Sequence, residues 1–361
     1  MPIRFDADRW ARVAEISRRW WAGDLDRPLI QVRLHDADAG RPEPAIPPLG
    51  FMSHCDFSVS AADIVDRLDY DLCRQRYLGD AFPQIWPNFG PGIIAAFMGA
   101  RVSNKSGTTW FHPAEELEIA DVRLDLDEGN PWFVRVRDVM RAAAERWEGL
   151  VQVGMTDLGG NLDILSSFRP GENLLLDLYD HPEEVKRLTW RAHEAWWRTF
   201  DDLDAAVRPP NPGYTAWAPI FSVEPSYMLQ CDFCYMIGPR MFDEFVRPEL
   251  AASCRRLGNP FYHLDGPGQL PHLDSLLSIE ELKGVQWVPG SGVPFVTHWP
   301  EVYRKIRKAG KLIQLFGGQE ELDTVAGQIG GAEGIVLIID AGVAQEEELT
   351  RFLRRYGVDP V

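Results

Sequence analysis

The sequence predicts an α/β chain closed into a (β/α)8 TIM barrel, with its active site where the carboxyl ends of eight strands converge. Three observations predict it. Eight short apolar runs recur along the chain. Stretches of helical periodicity separate most of them, the alternation expected of parallel βαβ units with strands buried on both faces. No internal repeat or low-complexity tract interrupts the 361 residues, a length that such barrels use as one unit. The expectation is one barrel domain over residues 1–361, with an N-terminal helical extension of about residues 1–27.

That extension carries the first helix, over 8–22, where Trp10, Val13, Ala14, Ile16, Trp20 and Trp21 form an apolar stripe. The strand runs follow at 28–34, 81–86, 150–155, 214–220, 261–265, 284–289, 311–316 and 334–340. Helices are expected over 133–147, 183–207, 238–256, 299–308, 320–329 and 345–356. The start of the 183–207 helix is marked by Asp180-His181-Pro182-Glu183-Glu184, which places a proline in the first turn and carboxylates at the positive end of the helix dipole. Residues 37–60 and 100–130, rich in Pro, Gly and Asp, are expected to be long connections covering one end of the barrel.

Composition removes several classes of function. The formal charge of -17 repels nucleic-acid phosphates and anionic membrane surfaces. No run of about 18 apolar residues is present, and Met1-Pro2-Ile3-Arg4-Phe5-Asp6 does not open a secretory signal. The five cysteines, an odd number in a large chain, fit reduced thiols of a cytoplasmic protein. The 13 tryptophans are many for the length, and several fall at expected strand ends, where they could wall a pocket.

Barrel chemistry sits at the carboxyl ends of strands. Those ends read Arg33 and His35; Trp86 and Asn88; Thr156 and Asp157; Trp217; His263 and Asp265; Gln286 and Trp287; Gln314; and Asp340. The sharpest element is Tyr262-His263-Leu264-Asp265-Gly266-Pro267-Gly268. Residues two apart on a strand share a face, so His263 and Asp265 are expected to point together into the mouth. They could be an acid/base pair or two ligands of one metal; the plainer alternative is a histidine satisfied by its neighbour in a polar lining. Cys231-Asp232-Phe233-Cys234 is a lone CxxC, read as two ordinary thiols with Asp232 the functional member. Gly90-Pro91-Gly92-Ile93-Ile94-Ala95 matches a dinucleotide fingerprint only formally and reads as a turn into a helix, whose N-terminus could hold an anionic group. His193 and Glu194 read as a solvated helix face.

Several segments together resemble the uroporphyrinogen decarboxylase superfamily, in its decarboxylase-like and corrinoid-linked methyltransferase branch. They are Gly79-Asp80-Ala81-Phe82-Pro83, Arg169-Pro170-Gly171-Glu172-Asn173 with Asp180 to Val185, Ile237 to Phe245, and His263 to Gly268 followed by Gln286-Trp287-Val288-Pro289-Gly290. The resemblance runs over most of the chain and implies the same barrel. It also implies a metal, zinc in the methyltransferases, held by a His-x-Cys pair on the strand over 261–265 and a late cysteine. Here His263 matches, Asp265 replaces the cysteine, and Asp340 stands near the late position, with Glu224 a further ligand. That set suits a harder divalent metal than a thiolate site does. The decarboxylase's Arg-Gln-Ala-Gly-Arg is reduced to Arg33, and its late Gly-His-Gly is Asp340-Ala341-Gly342 here, so uroporphyrinogen is not the expected substrate.

The resulting expectation is a cytoplasmic, methyltransferase-like enzyme acting on a small methylated or carboxylated compound. Zinc or another divalent metal is held by His263, Asp265, Glu224 and Asp340, and His263 and Asp265 are the catalytic residues. Arg33, Asp80, Trp217, Asp232, Gln286 and Trp287 are expected to shape the substrate pocket. Any corrinoid arrives on a separate partner protein, because the chain holds no domain for it, and a homodimer is left open. The rival readings are a decarboxylase or other lyase of a small acid, and a barrel that binds without catalysing.

Overall fold

The computed structural model describes residues 3–361, the side chain of Ser106 apart. Its strands are β1 (Leu29–His35), β2 (Arg76–Gly79), β3 (Gln84–Ile85), β4 (Arg101–Ser103), β5 (Trp110–His112) and β6 (Gln152–Val153). They continue with β7 (Ser226–Leu229), β8 (Asn259–Asp265), β9 (Gly284–Val288), β10 (Leu312–Leu315) and β11 (Ile335–Gly342). Seven form one sheet in the order β2-β1-β11-β10-β9-β8-β7, parallel throughout except for the antiparallel edge strand β2. β3 and β6 form a separate parallel pair, and β4 and β5 an antiparallel one.

The eight expected runs are met unevenly. The runs at 28–34, 261–265, 284–289, 311–316 and 334–340 coincide with β1, β8, β9, β10 and β11. The runs at 81–86 and 150–155 shrink to two paired residues each. The run at 214–220 is not a strand: it holds only an isolated antiparallel bridge from Tyr214 to Ser222. The strand lies further on, at β7, whose four residues are all buried. Tyr214-Thr215-Ala216-Trp217-Ala218-Pro219 is apolar because it is packed, and Pro219 breaks it.

Helices pack over the sheet. Pro131–Trp147 and Pro182–Val207 coincide with expected ones, each with proline in the first turn. The stretch at 238–256 is instead broken into three: Pro239–Met241, a π turn at Phe242–Val246, and Arg247–Arg256. The N-terminal helix Ala7–Ala22 is capped by Asp6, which accepts from the Arg9 N–H at 2.9 Å, and ends at Gly23 with φ 75°.

This helix explains three of the tryptophans. Trp10 donates its indole N–H to the Leu150 carbonyl at 3.1 Å, and Trp21 donates to the Phe221 carbonyl at 2.8 Å. Both carbonyls precede strands, and Trp20 stacks on Phe261 near the start of β8. The three rings therefore close the amino end of the strands. No helix among the described residues is long and apolar enough to cross a membrane.

Candidate functional site

Strand register builds the site. His263, Gln286 and Gln314 are partners across β8, β9 and β10, so all three side chains lie on one face. They form a chain of hydrogen bonds: Gln314 Oε1 accepts from Gln286 Nε2 at 2.6 Å, and Gln286 Oε1 bonds His263 Nδ1. With its amide N–H spent on Gln314, Gln286 presents only its carbonyl oxygen to the imidazole. Nδ1 therefore carries the proton, and Nε2 keeps its lone pair. Burial holds the imidazole's pKa below the ordinary histidine range, outweighing the Gln286 bond and the Asp265 charge. His263 is a neutral nitrogen donor. Trp217 meets it edge-on at 5.8 Å between ring centroids.

Asp265 shares the face of His263, and Asp232 comes to the same place from the turn that follows β7. The ligand atoms of Asp232, His263 and Asp265 all lie within 4.8 Å of one another. Two carboxylates and one neutral imidazole suit a divalent metal with oxygen coordination. Asp232 is reached by solvent, yet the atoms crowded about its carboxylate and the charges of Asp265 and Asp157 push its pKa up. The charges that raise Asp157, Asp163 and Asp232 come from one another and from Asp265. Beside the triad opens a cavity of about 380 Å³, lined by Trp110, Phe111, Ile164, Gln230, Asp232 and Phe233 among others.

The remaining expected residues scatter, for physical reasons. Glu224 is exposed and stands two residues before β7 begins, at the opposite end of the strands from His263, so it cannot join that ligand set. Asp340 lies at the carboxyl end of β11, but both its oxygens are taken: Arg33 binds one at 2.6 Å and His35 the other at 2.7 Å. Burial works to raise its pKa, and the His35 bond and Arg33 charge override that to hold it low. Arg33 is thus partly neutralised within the protein. Trp287 follows Gln286 on β9 and must face the other way; it is fully buried against Trp299 at 5.3 Å, in the helical layer. Asp80 pairs with Arg27 and the Ile30 N–H at the start of β1, far from the carboxyl ends.

Two other motifs also resolve. Gly92 gives its N–H to the Asp157 carboxylate at 3.3 Å, so this donor of the glycine turn serves one of the protein's own carboxylates, while Pro91 and Gly92 line the cavity. Gly90 has φ 103°, and a Cβ on it would stand 2.7 Å from the Thr109 side chain, which is why glycine stands there. Cys231 and Cys234 are buried, and neither joins the triad. The hydrogen bond with Cys234, and then burial, push the Cys231 thiol well up, which disfavours a free thiolate nucleophile there. Treating metal-loaded protein with a thiol reagent is expected to leave the metal in place. Metal release in step with modification of those cysteines would contradict this.

Two features of the cavity gave no signal in the sequence. One is Asp163, on the short helix Asn161–Ser166. The other is the β4–β5 hairpin, whose Trp110 and Phe111 line the cavity from within the expected loop at 100–130. Local composition identifies neither; only the long-range approach of the hairpin to the turn after β7 does.

Buried Asp157 offers a test of the site's electrostatics. Desolvation pushes its pKa up to about 7, against the opposing hydrogen bonds from Gly159 and Gly92. A carboxyl whose folded-state pKa is raised stabilises the fold fully below its unfolded pKa and loses that contribution as pH climbs through about 7. In metal-free protein, Asp157→Asn is expected to melt with the wild type at pH 4 and several degrees above it at pH 8. Equal melting at both values would show the carboxylate to be well solvated.

The architecture has a known counterpart. The chain is similar in structure to a methyltransferase from Methanosarcina mazei, with a TM-score of 0.57 over 91% of this chain and 93% of that one. At 10% sequence identity the likeness is one of fold. No protein-family model matches the sequence, and no curated protein matches it significantly.

Proposed function

We propose that this chain is a cytoplasmic, methyltransferase-like enzyme of the uroporphyrinogen decarboxylase superfamily, with its strands closed into a (β/α)8 barrel. Its substrate is a small methylated or carboxylated compound bound in the cavity beside Asp232. The observation that carries the reading is the triad Asp232, His263 and Asp265, with ligand atoms within 4.8 Å, at the carboxyl ends of parallel strands. The fold shared with a methyltransferase supports the class of reaction. A divalent metal held by the three residues would supply Lewis acidity toward a bound heteroatom.

The chain's own residues have definable work. Gln286 fixes the His263 tautomer, so that Nε2 is the donor atom. Trp217 packs edgewise on the imidazole and limits its rotation. Phe111 and Phe233, both buried, keep water from the apolar part of the cavity. A methyl group would pass to or from a corrinoid carried by a separate protein.

The test is elemental analysis of purified protein, followed by an assay of methyl transfer between methylated compounds and a purified corrinoid protein. One equivalent of zinc, manganese or iron and methylation of the corrinoid are expected. Release of carbon dioxide from a small acid without methyl transfer would replace this reading with a carboxy-lyase.

A further inference from the structure

Asp232 is the ligand that the strand sheet does not position. His263 and Asp265 are held by β8, whereas Asp232 begins a five-residue turn, Asp232–Met236, that stands beyond the end of β7. Its backbone N–H and that of Phe233 open the turn and have no partner within it. Asp163 supplies both partners. One of its oxygens accepts from the Asp232 N–H at 3.0 Å, and the other from the Phe233 N–H at 2.7 Å.

The approach is built into the backbone. Gly160, three residues before Asp163, lies so close to the Gln230 carbonyl that a Cβ would stand 2.2 Å from its oxygen. Only glycine lets the start of helix Asn161–Ser166 reach the end of β7. Asp163 also lines the cavity, beside the ligand-bearing turn whose N–H groups it holds.

We propose that Asp163 is a positioning residue that holds Asp232 in place for metal binding by clamping the first two N–H groups of its turn. The inference rests on reading the triad as a metal centre. Partners that orient a metal ligand change affinity by about 10–100-fold when removed. A plain structural cap would instead lower the melting temperature and leave the affinity of folded protein unchanged.

The experiment is calorimetric titration of metal-free full-length protein with Zn²⁺, beside its melting temperature. Wild type, Asp163→Ala, Asp163→Asn and Asp232→Ala are compared. Asp163→Ala is expected to bind Zn²⁺ about 10–100-fold more weakly. Asp163→Asn, whose one amide oxygen can still accept an N–H, is expected to fall between it and the wild type. Should the alanine variant fail to fold, the isosteric asparagine variant carries the comparison. Undiminished affinity in both variants, with or without a lower melting temperature, would overturn the positioning role while leaving the metal centre intact. Wild type that binds no Zn²⁺, or binds it as well after Asp232→Ala, would overturn the metal reading itself.

Discussion

His263→Ala and Asp265→Ala are each expected to lower kcat/KM for methyl transfer by at least about 10²-fold, with little loss of fold. The asymmetry follows from where the two residues stand. Asp265 ends β8, where its side chain contributes to the site and to no ion pair with Lys or Arg among the described residues. His263 does have a structural partner, since Gln286 Oε1 bonds its Nδ1. Removing the imidazole leaves that oxygen unpaired, at a cost of roughly 1–3 kcal/mol. His263→Ala should therefore melt slightly earlier than Asp265→Ala, while both lose activity and metal. If the residues act as one unit, the double variant should be hardly worse than either single one. Melting temperature, metal content and turnover measured on the three proteins decide it. Variants that melt much earlier yet keep near-normal turnover would make the pair structural.

The contrast between His263 and Glu224 shows what could be read from the chain. His263 and Asp265 were legible because two strand residues at spacing two share a face whatever the rest of the fold does. The same rule separates Gln286 from Trp287, and the register that joins Gln286 to His263 makes one of them a site residue and the other core. Glu224 and Asp340 depended on knowing where strands begin and which neighbours claim a carboxylate. The misplaced strand at 214–220 was enough to put Glu224 at the wrong end. Asp340 could not be excluded without seeing Arg33 and His35 beside it, a pairing set by the β1–β11 register across some 300 residues of chain, from Arg33 to Asp340. Asp232 stands out in the sequence only between its two cysteines, and its part in the triad depends on a turn that local periodicity does not describe.

Asp80→Ala is expected to cost roughly 3–5 kcal/mol of stability, a loss expected of a broken buried ion pair, and to leave the activity of folded molecules unchanged. Asp80 is 4% exposed, and its oxygens accept from Arg27 at 2.7 and 2.9 Å in a two-pronged pair. One oxygen also accepts the Ile30 N–H at 3.0 Å, which fixes the first residues of β1. Removing the carboxylate strands the Arg27 charge, whose side chain is only 14% exposed, and frees a strand N–H with it. The pair sits where it does because β2 runs antiparallel to β1, returning the chain after Gly79 to the amino end of the sheet. His35 lies five residue steps along β1 from Ile30, so the pair lies roughly 17 Å from the carboxyl ends. A substrate at the triad is out of its reach. Asp80→Asn, which keeps one acceptor oxygen but loses the charge and the second acceptor for Arg27, should fall between wild type and the alanine variant. Denaturant titration gives the stability and turnover per folded molecule gives the activity. A raised KM with unchanged stability would return Asp80 to the substrate pocket, where its motif alone had placed it.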